Sequence, residues 1–407
     1  MTISEQMQKI HANARVQKTL QQIKAEDQLT REQQIMLTEI PAPPFKEEKR
    51  AEAFKKLLED YDLEDVHMDE EGNVFGKRSG TGNGPVLVVS AHLDTVFPEG
   101  TDTTVKEKDG KLFAPGIGDD TRGLAEVLAV VRALQASELQ TIGDIIIGGT
   151  VGEEGAGDLR GVKAYFNENK ADGYISIDGS SLETMTYLGT GSFRYRVTFQ
   201  GKGGHSFGDF GTPSATHALG RAIAAIADLE TKADPKTTFS VGPIAGGSSV
   251  NAISEQASME VDLRSNAMEE LIVLDKKFNN IVAEACRKEN ERWGKDSMTV
   301  TVEKFGNRPP AAQSDKAPIV QALAEAIKCV GKKPIYGQPS STDANYPMSL
   351  GIPSITSGLG GKAGGAHTLN EWFDPADAYL AVQKHFLLIL SLVGIEKLTT
   401  PILIKEE

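Results

Sequence analysis

Three short runs, "PVLVVSAH" (85–92), "DIIIGGTV" (144–151) and "GYISID" (173–178), constrain this chain more than any other feature. Each is apolar without strict alternation, rich in β-branched residues and bounded by glycine or polar residues, the pattern of a strand buried on both faces. Such strands need helices above and below them. Leu124, Val127, Leu128, Val131 and Leu134, between the first two runs, recur at helical spacing. The implied fold class is α/β with a mostly parallel central sheet.

A second style begins at residue 191. "SFRYRVTFQ" alternates Phe193, Tyr195, Val197 and Phe199 against Arg194, Arg196 and Thr198, as in a sheet with one wet face. A helix over about 213–229, strands near 237–242 and 255–264, a helix near 267–291 and a strand near 298–303 follow, which is the β-α-β-β-α-β order of a ferredoxin-like unit. After "NRPPAAQ" the α/β style returns with "KPIYG", "PSITSG" and a helix near 375–393. One domain is thus interrupted by another: 1–187 and 306–407 belong to the α/β domain, with 1–30 as a helical N-terminal extension, and 188–305 form the insert. Residues 4–60 read as helical scaffold, broken at "EIPAPPF", where closely spaced prolines stop a helix.

A chain of 407 residues suits two domains. Its net charge of -14 is spread over many acidic segments with no basic stripe, which argues against nucleic acid as a partner. No run approaches the roughly 18 apolar residues of a membrane span, and the polar N-terminus has no apolar signal core. Cys286 and Cys329 are too few for a disulfide framework. The expectation is a soluble, cytoplasmic protein with no membrane partner.

Chemistry-bearing residues gather just beyond the strand runs. "SAHLDTV" places His92 and Asp94 two apart, so that in extended chain both side chains point the same way and the acid can orient the imidazole. "APGIGDDTRG" carries Asp119 and Asp120 into a helix start, where two acids equally suit N-terminal capping. "VGEEGAGD" holds Glu153 and Glu154, Asp178 ends "GYISID", and "GGAHTLNE" sets His367 in a glycine-rich loop. Open α/β sheets bind ligands outside the carboxyl ends of their strands, where His92, Glu153, Glu154 and Asp178 fall. Two imidazoles with three carboxylates suit a pair of Zn²⁺ or similar ions, one carboxylate bridging, and a carboxylate left outside would serve as general base. His11, His67, His217 and His385 sit in periodic or polar scaffold and read as structural or solvated.

"SAHLDTV", "GIGDDTRG", "VGEEG", "SIDGS" and "GGAHTLNE", in this order and around an inserted small domain, resemble the di-metal aminoacylase, carboxypeptidase and peptidase T family from about residue 30 onward. The resemblance implies two Zn²⁺ per subunit, with Co²⁺ or Mn²⁺ as substitutes. His92 and Asp178 would hold one ion, Glu154 and His367 the other, and Asp119 would bridge them. Asp94 would orient His92, Glu153 would be the general base, and the Asp119–Asp120 peptide would be cis. In the insert, "GKGGHSFGD" resembles the lid histidine motif, implying that His205 stabilises the oxyanion, from the partner subunit in dimeric relatives. Asn251 in "SSVNAIS" and Arg264 in "EVDLRS" match positions that grip a substrate carboxylate, a task a guanidinium fork suits. Two positions depart from the pattern: many relatives have lysine after the paired acids, where this chain has Thr121 and Arg122, and many have a small apolar residue at Ser206.

The resemblance thus implies a di-zinc metallopeptidase with small peptides as substrates and a homodimer through the lid left open. Aspartate at position 178 and the "SIDGS" segment favour a peptidase T-like aminopeptidase or tripeptidase. An N-acyl amino acid deacylase or a carboxypeptidase would use the same centre, and a non-catalytic metal-binding scaffold is the alternative outside enzymes.

Overall fold

The computed structural model describes residues 1–179 and 181–405. The chain divides into two compact units, Met1–Gly189 with Ala312–Glu407, and Thr190–Ala311. These boundaries lie beyond 187 and 305 because the strand Thr299–Arg308 continues past 303 and stays paired with Gly191–Gln200 as far as Arg308.

In the larger unit an eight-stranded sheet runs in the order Glu64–Met68, Val74–Arg78, Asp144–Thr150, Val86–His92, Gly173–Ile177, Ser354–Ser357, Thr184–Thr186, Ile335–Tyr336. The middle of the sheet, from Asp144–Thr150 to Ser354–Ser357, is parallel. Antiparallel pairing enters on both sides, where Val74–Arg78 meets Asp144–Thr150 and Thr184–Thr186 meets Ser354–Ser357. The sheet is therefore mixed around the parallel core that the apolar runs imply. Gly173–Ile177 is buried throughout and Val86–His92 is buried from Leu87 on, as parallel strands covered on both faces must be.

The helix Thr121–Ala136 lays Leu124, Val127, Leu128, Val131 and Leu134 into the core. The first two helices, Ile3–His11 and Ala14–Ala25, put Met7, Ile10, Val16, Leu20 and Ile23 into that same core. Residues 1–30 are thus a structural layer of the larger unit rather than an appendage. At about 1.5–3 kcal/mol for each such side chain buried, their removal would uncover a large apolar face.

In the smaller unit the sheet order is Thr237–Gly246, Gln256–Ser265, Gly191–Gln200, Thr299–Arg308, antiparallel at every pairing. Helices Ala215–Ala227 and Met268–Trp293 cover one face, where Leu219, Leu274 and Phe278 meet Phe193, Tyr195, Val197 and Phe199. This is a ferredoxin-like arrangement. Among the described residues no helix is long and apolar enough to cross a membrane, and both cysteines are free.

Within the larger unit lies a buried ionic cluster. Arg122 Nε donates to Glu126 Oε1 at 2.8 Å, the same oxygen accepts from Gly360 N at 2.9 Å, and Glu126 Oε2 lies 3.3 Å from His385 Nδ1. His385 Nε2 pairs with Ser357 Oγ at 2.9 Å. The sequence shows no acid near His385; the fold supplies one from another helix. Burial, with Lys384 and Arg122 beside it, pushes His385 down to about 4 against the pull of Glu126. Above pH 6.5 the imidazole is neutral folded or unfolded and contributes nothing. Below it the unfolded chain takes up a proton that the folded chain refuses, so stability falls as pH drops from 6.5 toward 4, by about 3 kcal/mol. Glu126 is pushed down to about 2, because Arg122 and His385 outweigh its burial, so its contribution is present above 4.5 and lost between 4.5 and 2. Urea unfolding of His385→Gln should therefore show a shallower loss between pH 7 and 4.5 than the parent protein; parallel curves would refute this.

Candidate metal centre

His92 closes the strand Val86–His92, Glu153 and Glu154 follow Asp144–Thr150, and Asp178 follows Gly173–Ile177. His92 Nδ1 pairs with the Asp94 carbonyl at 3.0 Å, and the Asp94 carboxylate lies 3.5 Å from the same nitrogen. That carboxylate has a larger task than the sequence suggests: Oδ1 accepts the Glu153 N–H at 3.0 Å and Oδ2 the Glu154 N–H at 2.8 Å. Asp94 thereby sets the backbone of both glutamates. The turn before them passes through Gly152 at φ +68°, where a Cβ would come within 2.5 Å of the Arg160 side chain.

His92 Nε2 lies 3.0 Å from Asp119 Oδ1, while Asp119 Oδ2 lies 3.2 Å from His367 Nε2. His367 Nε2 in turn meets Glu154 Oε1 at 2.9 Å. One carboxylate thus faces two imidazoles with its two oxygens. Among the described residues His92, Asp119 and Glu154 form one group able to hold a metal ion, and His92, Asp120 and Asp178 form a second that shares His92. The Asp119–Asp120 peptide is cis, as the resemblance implies.

Asp120 occupies the N-cap position of the following helix but makes no side-chain cap bond. Its Oδ2 instead accepts the His92 backbone N–H at 3.0 Å, and its buried Oδ1 has no hydrogen-bond partner. Capping is therefore not what this acid does. Thr121 donates through Oγ1 to Gly116 O at 2.6 Å and pairs with Thr38 Oγ1, so it ties the Asp119 loop to the scaffold.

Glu371 is a member of the site that the sequence reading passed over. Its buried carboxylate accepts the N–H groups of Gly116, Gly118 and Asp119 at 2.8–2.9 Å, which holds the loop that presents Asp119. Its position in the same motif as His367, just before the strand Trp372–Asp374, was the available signal. A cavity of about 240 Å³ beside Asp119 and Asp178 is lined by Leu359, Ala363, Ala366, Glu371 and glycines. Small apolar walls beside an ionic centre suit part of an organic substrate. Ser180 of "SIDGS" lies outside the described residues.

The electrostatics fit a cation. Burial and the Asp119 charge push Asp178 up to about 7, and burial, with Asp178 and Asp119 adding to it, pushes Asp120 well above the carboxylate range. Asp119 and Glu154 push His367 up to about 10. Burial opposes charge on His92, but Asp119 and Asp94 outweigh it and hold the imidazole well above its ordinary value. Crowded carboxylates thus recruit protons onto each other and onto the imidazoles. Divalent ions would replace those protons on the same imidazole nitrogens and carboxylate oxygens.

The lid candidates lie in the smaller unit. His205 pairs opposite Ala252, and Ser206 N donates to Asn251 O at 2.9 Å, so His205 and Asn251 share one short ladder. His205 Nδ1 accepts from Phe207 N and Gly208 N, both at 3.2 Å. In the neutral ring that leaves Nε2 carrying the proton, a donor for an oxygen. The Asn251 side-chain oxygen accepts from Ser249 Oγ at 2.6 Å. Arg264 does not stand ready as a free fork: its Nε donates to Asp262 at 2.6 Å, an acid two residues back on the same face of the strand.

Two solved structures share this fold, and one relative and one family model match the sequence. The structure of a tripeptidase from Staphylococcus aureus superposes with a TM-score of 0.74 at 24% identity, covering 89% of this chain and 97% of that one. Aminopeptidase PepT from Bacillus cereus gives a TM-score of 0.71 at 21% identity, covering 89% and 98%. A Bacillus subtilis relative, N-formyl-4-amino-5-aminomethyl-2-methylpyrimidine deformylase, is 25% identical over 379 residues, 81% of this chain and 86% of the relative. The model of peptidase family M20/M25/M40 matches residues 88–391, which span the strand of His92 through the loop of His367, and the chain belongs to that family of hydrolases.

Proposed function

We propose that the protein is a di-zinc aminopeptidase or tripeptidase that hydrolyses the amide bond of small peptides. The observation that carries the two-metal reading is Asp119, whose two oxygens face His92 and His367 separately. His92 and Asp178 would hold one ion, Glu154 and His367 the other, with Asp119 between them; Asp120, whose carboxylate lies within 4.8 Å of donor atoms on His92 and Asp178, supports the first site. When bound, zinc supplies Lewis acidity, polarising the scissile carbonyl and acidifying water.

The rest is work for the chain's own residues. Asp94 holds the Glu153 and Glu154 amides, so the two side chains leave an extended backbone in different directions, Glu154 toward His367. Glu153 takes the proton from the attacking water and hands it to the leaving amine. His205 donates an Nε2–H hydrogen bond to the developing oxyanion, and Asn251 and Arg264 grip the substrate carboxylate once Arg264 exchanges Asp262 for it. The small-walled cavity beside Asp178 receives an uncharged part of the substrate. Aspartate at position 178, the residue that the family resemblance associates with peptidases, supports peptide over acyl substrates.

Metal-loaded protein incubated with tripeptides, dipeptides and N-acyl amino acids, with and without chelator, tests this by product mass. Release of the N-terminal residue from tripeptides, abolished by chelator, is the expected result. Cleavage of acyl amino acids alone would replace it by the deacylase reading, which the deformylase relative favours. Absence of any hydrolysis would leave a non-catalytic metal-binding protein.

A further inference from the structure

Lys384 lies in the helix Tyr379–Val393 with its side chain fully buried. Its Nζ donates to two backbone carbonyls, Leu182 at 3.3 Å and Gly358 at 2.5 Å. Leu182 follows Asp178 in the chain, and Gly358 opens the segment that leads from the strand Ser354–Ser357 toward His367. The two segments are stitched together at the same place: Asp178 N donates to Ser357 O at 3.2 Å and Leu359 N to Gly179 O at 3.1 Å. There is little slack, since a Cβ on Gly358 would come within 1.8 Å of Ser181 O. Next along, Gly360 N is held by Glu126 of the helix that begins after Asp119 and Asp120.

A buried ammonium is unfavourable, and here burial pushes Lys384 down to about 7. Apolar side chains of similar volume commonly replace buried charges without loss of stability, so filling space does not account for a lysine. What an apolar residue cannot supply is the pair of donor bonds to two different segments.

We propose that Lys384 is a positioning residue for the metal centre: by joining Leu182 O to Gly358 O it fixes the segment bearing Asp178 against the segment leading to His367, and so sets the spacing of the two metals. The inference rests on the ligand assignment under Proposed function. Lys384→Met in the full chain tests it, with zinc affinity measured by chelator competition, kcat and KM on a cleaved tripeptide, and Tm. The expected result is zinc binding weakened about tenfold, the lower end of the loss seen when a ligand's supporting partner is removed. A comparable fall in kcat should accompany it, with KM within about twofold. Zinc affinity and kcat equal to the parent protein's would overturn it. Where Lys384→Met does not fold, Lys384→Gln, which keeps a donor for one carbonyl, is judged by the same two outcomes. If the parent protein cleaves no substrate the proposed function fails, while the zinc titrations still decide the role of Lys384.

Discussion

Glu153→Gln lowers kcat by about 10²–10⁴-fold, the range for loss of a general acid–base group, while two equivalents of metal stay bound. The substitution keeps the shape of the side chain, and the bond from residue 153 to Asp94 is made by its backbone N–H, so the turn is preserved. What disappears is the ability to take a proton. Glu154→Gln should behave differently although it is the adjacent residue, because Glu154 Oε1 faces His367 Nε2 and belongs to a candidate ligand group: metal is lost first, and activity follows occupancy. Metal content by elemental analysis beside kcat on a tripeptide separates the two. Loss of zinc from Glu153→Gln with unchanged turnover per bound metal would make Glu153 a ligand and remove it as the base.

Asp119→Ala should abolish tight binding of both ions and, with it, turnover. The carboxylate that separates His92 from His367 is gone in that variant, and any ion bound beside one imidazole loses the shared negative charge that screened it from the other. The loss should exceed the about 10–100-fold seen when only an outer partner of a ligand is removed. His367→Ala, by contrast, should leave the ion at His92 and Asp178 in place. Equilibrium dialysis against zinc distinguishes near-zero, one and two equivalents. Two ions retained at parental affinity by Asp119→Ala would end the bridging assignment.

Part of this group was legible in the sequence because its chemistry is tied to strand ends, whereas Asp119 and His367 lie on loops and were assigned only through the order of the motifs. Once "PVLVVSAH", "DIIIGGTV" and "GYISID" read as parallel strands, His92, Glu153, Glu154 and Asp178 all fall at one edge. The supports were not legible. Asp94 grips amides in the turn after another strand, and Glu371 grips a loop from far earlier in the chain; no periodicity encodes either bond. His385 is structural, as its setting in the sequence suggests, but its partner was not legible, since Glu126 reaches it only across packed helices. Arg264 is a different case. Its pairing with Asp262 follows from the two-residue repeat of a strand and was available from "EVDLRS" alone. The first two helices show the limit of reading polar faces: Met7, Ile10, Val16, Leu20 and Ile23 sit at helical spacing, but only the fold reveals that the core needs them.

The strand Ser354–Ser357 pairs with Gly173–Ile177 across the whole of the inserted unit, and His367 and Glu371 follow it. During synthesis, therefore, His92, Asp119, Glu154 and Asp178 emerge long before the residues that complete and brace their site. An emerging chain would expose a sheet edge and a cluster of unneutralised acids, yet it would have no finished hydrolytic centre. The interruption therefore sets an order: the group around His92 can be completed only after the inserted unit and the segment carrying His367 and Glu371 have been made.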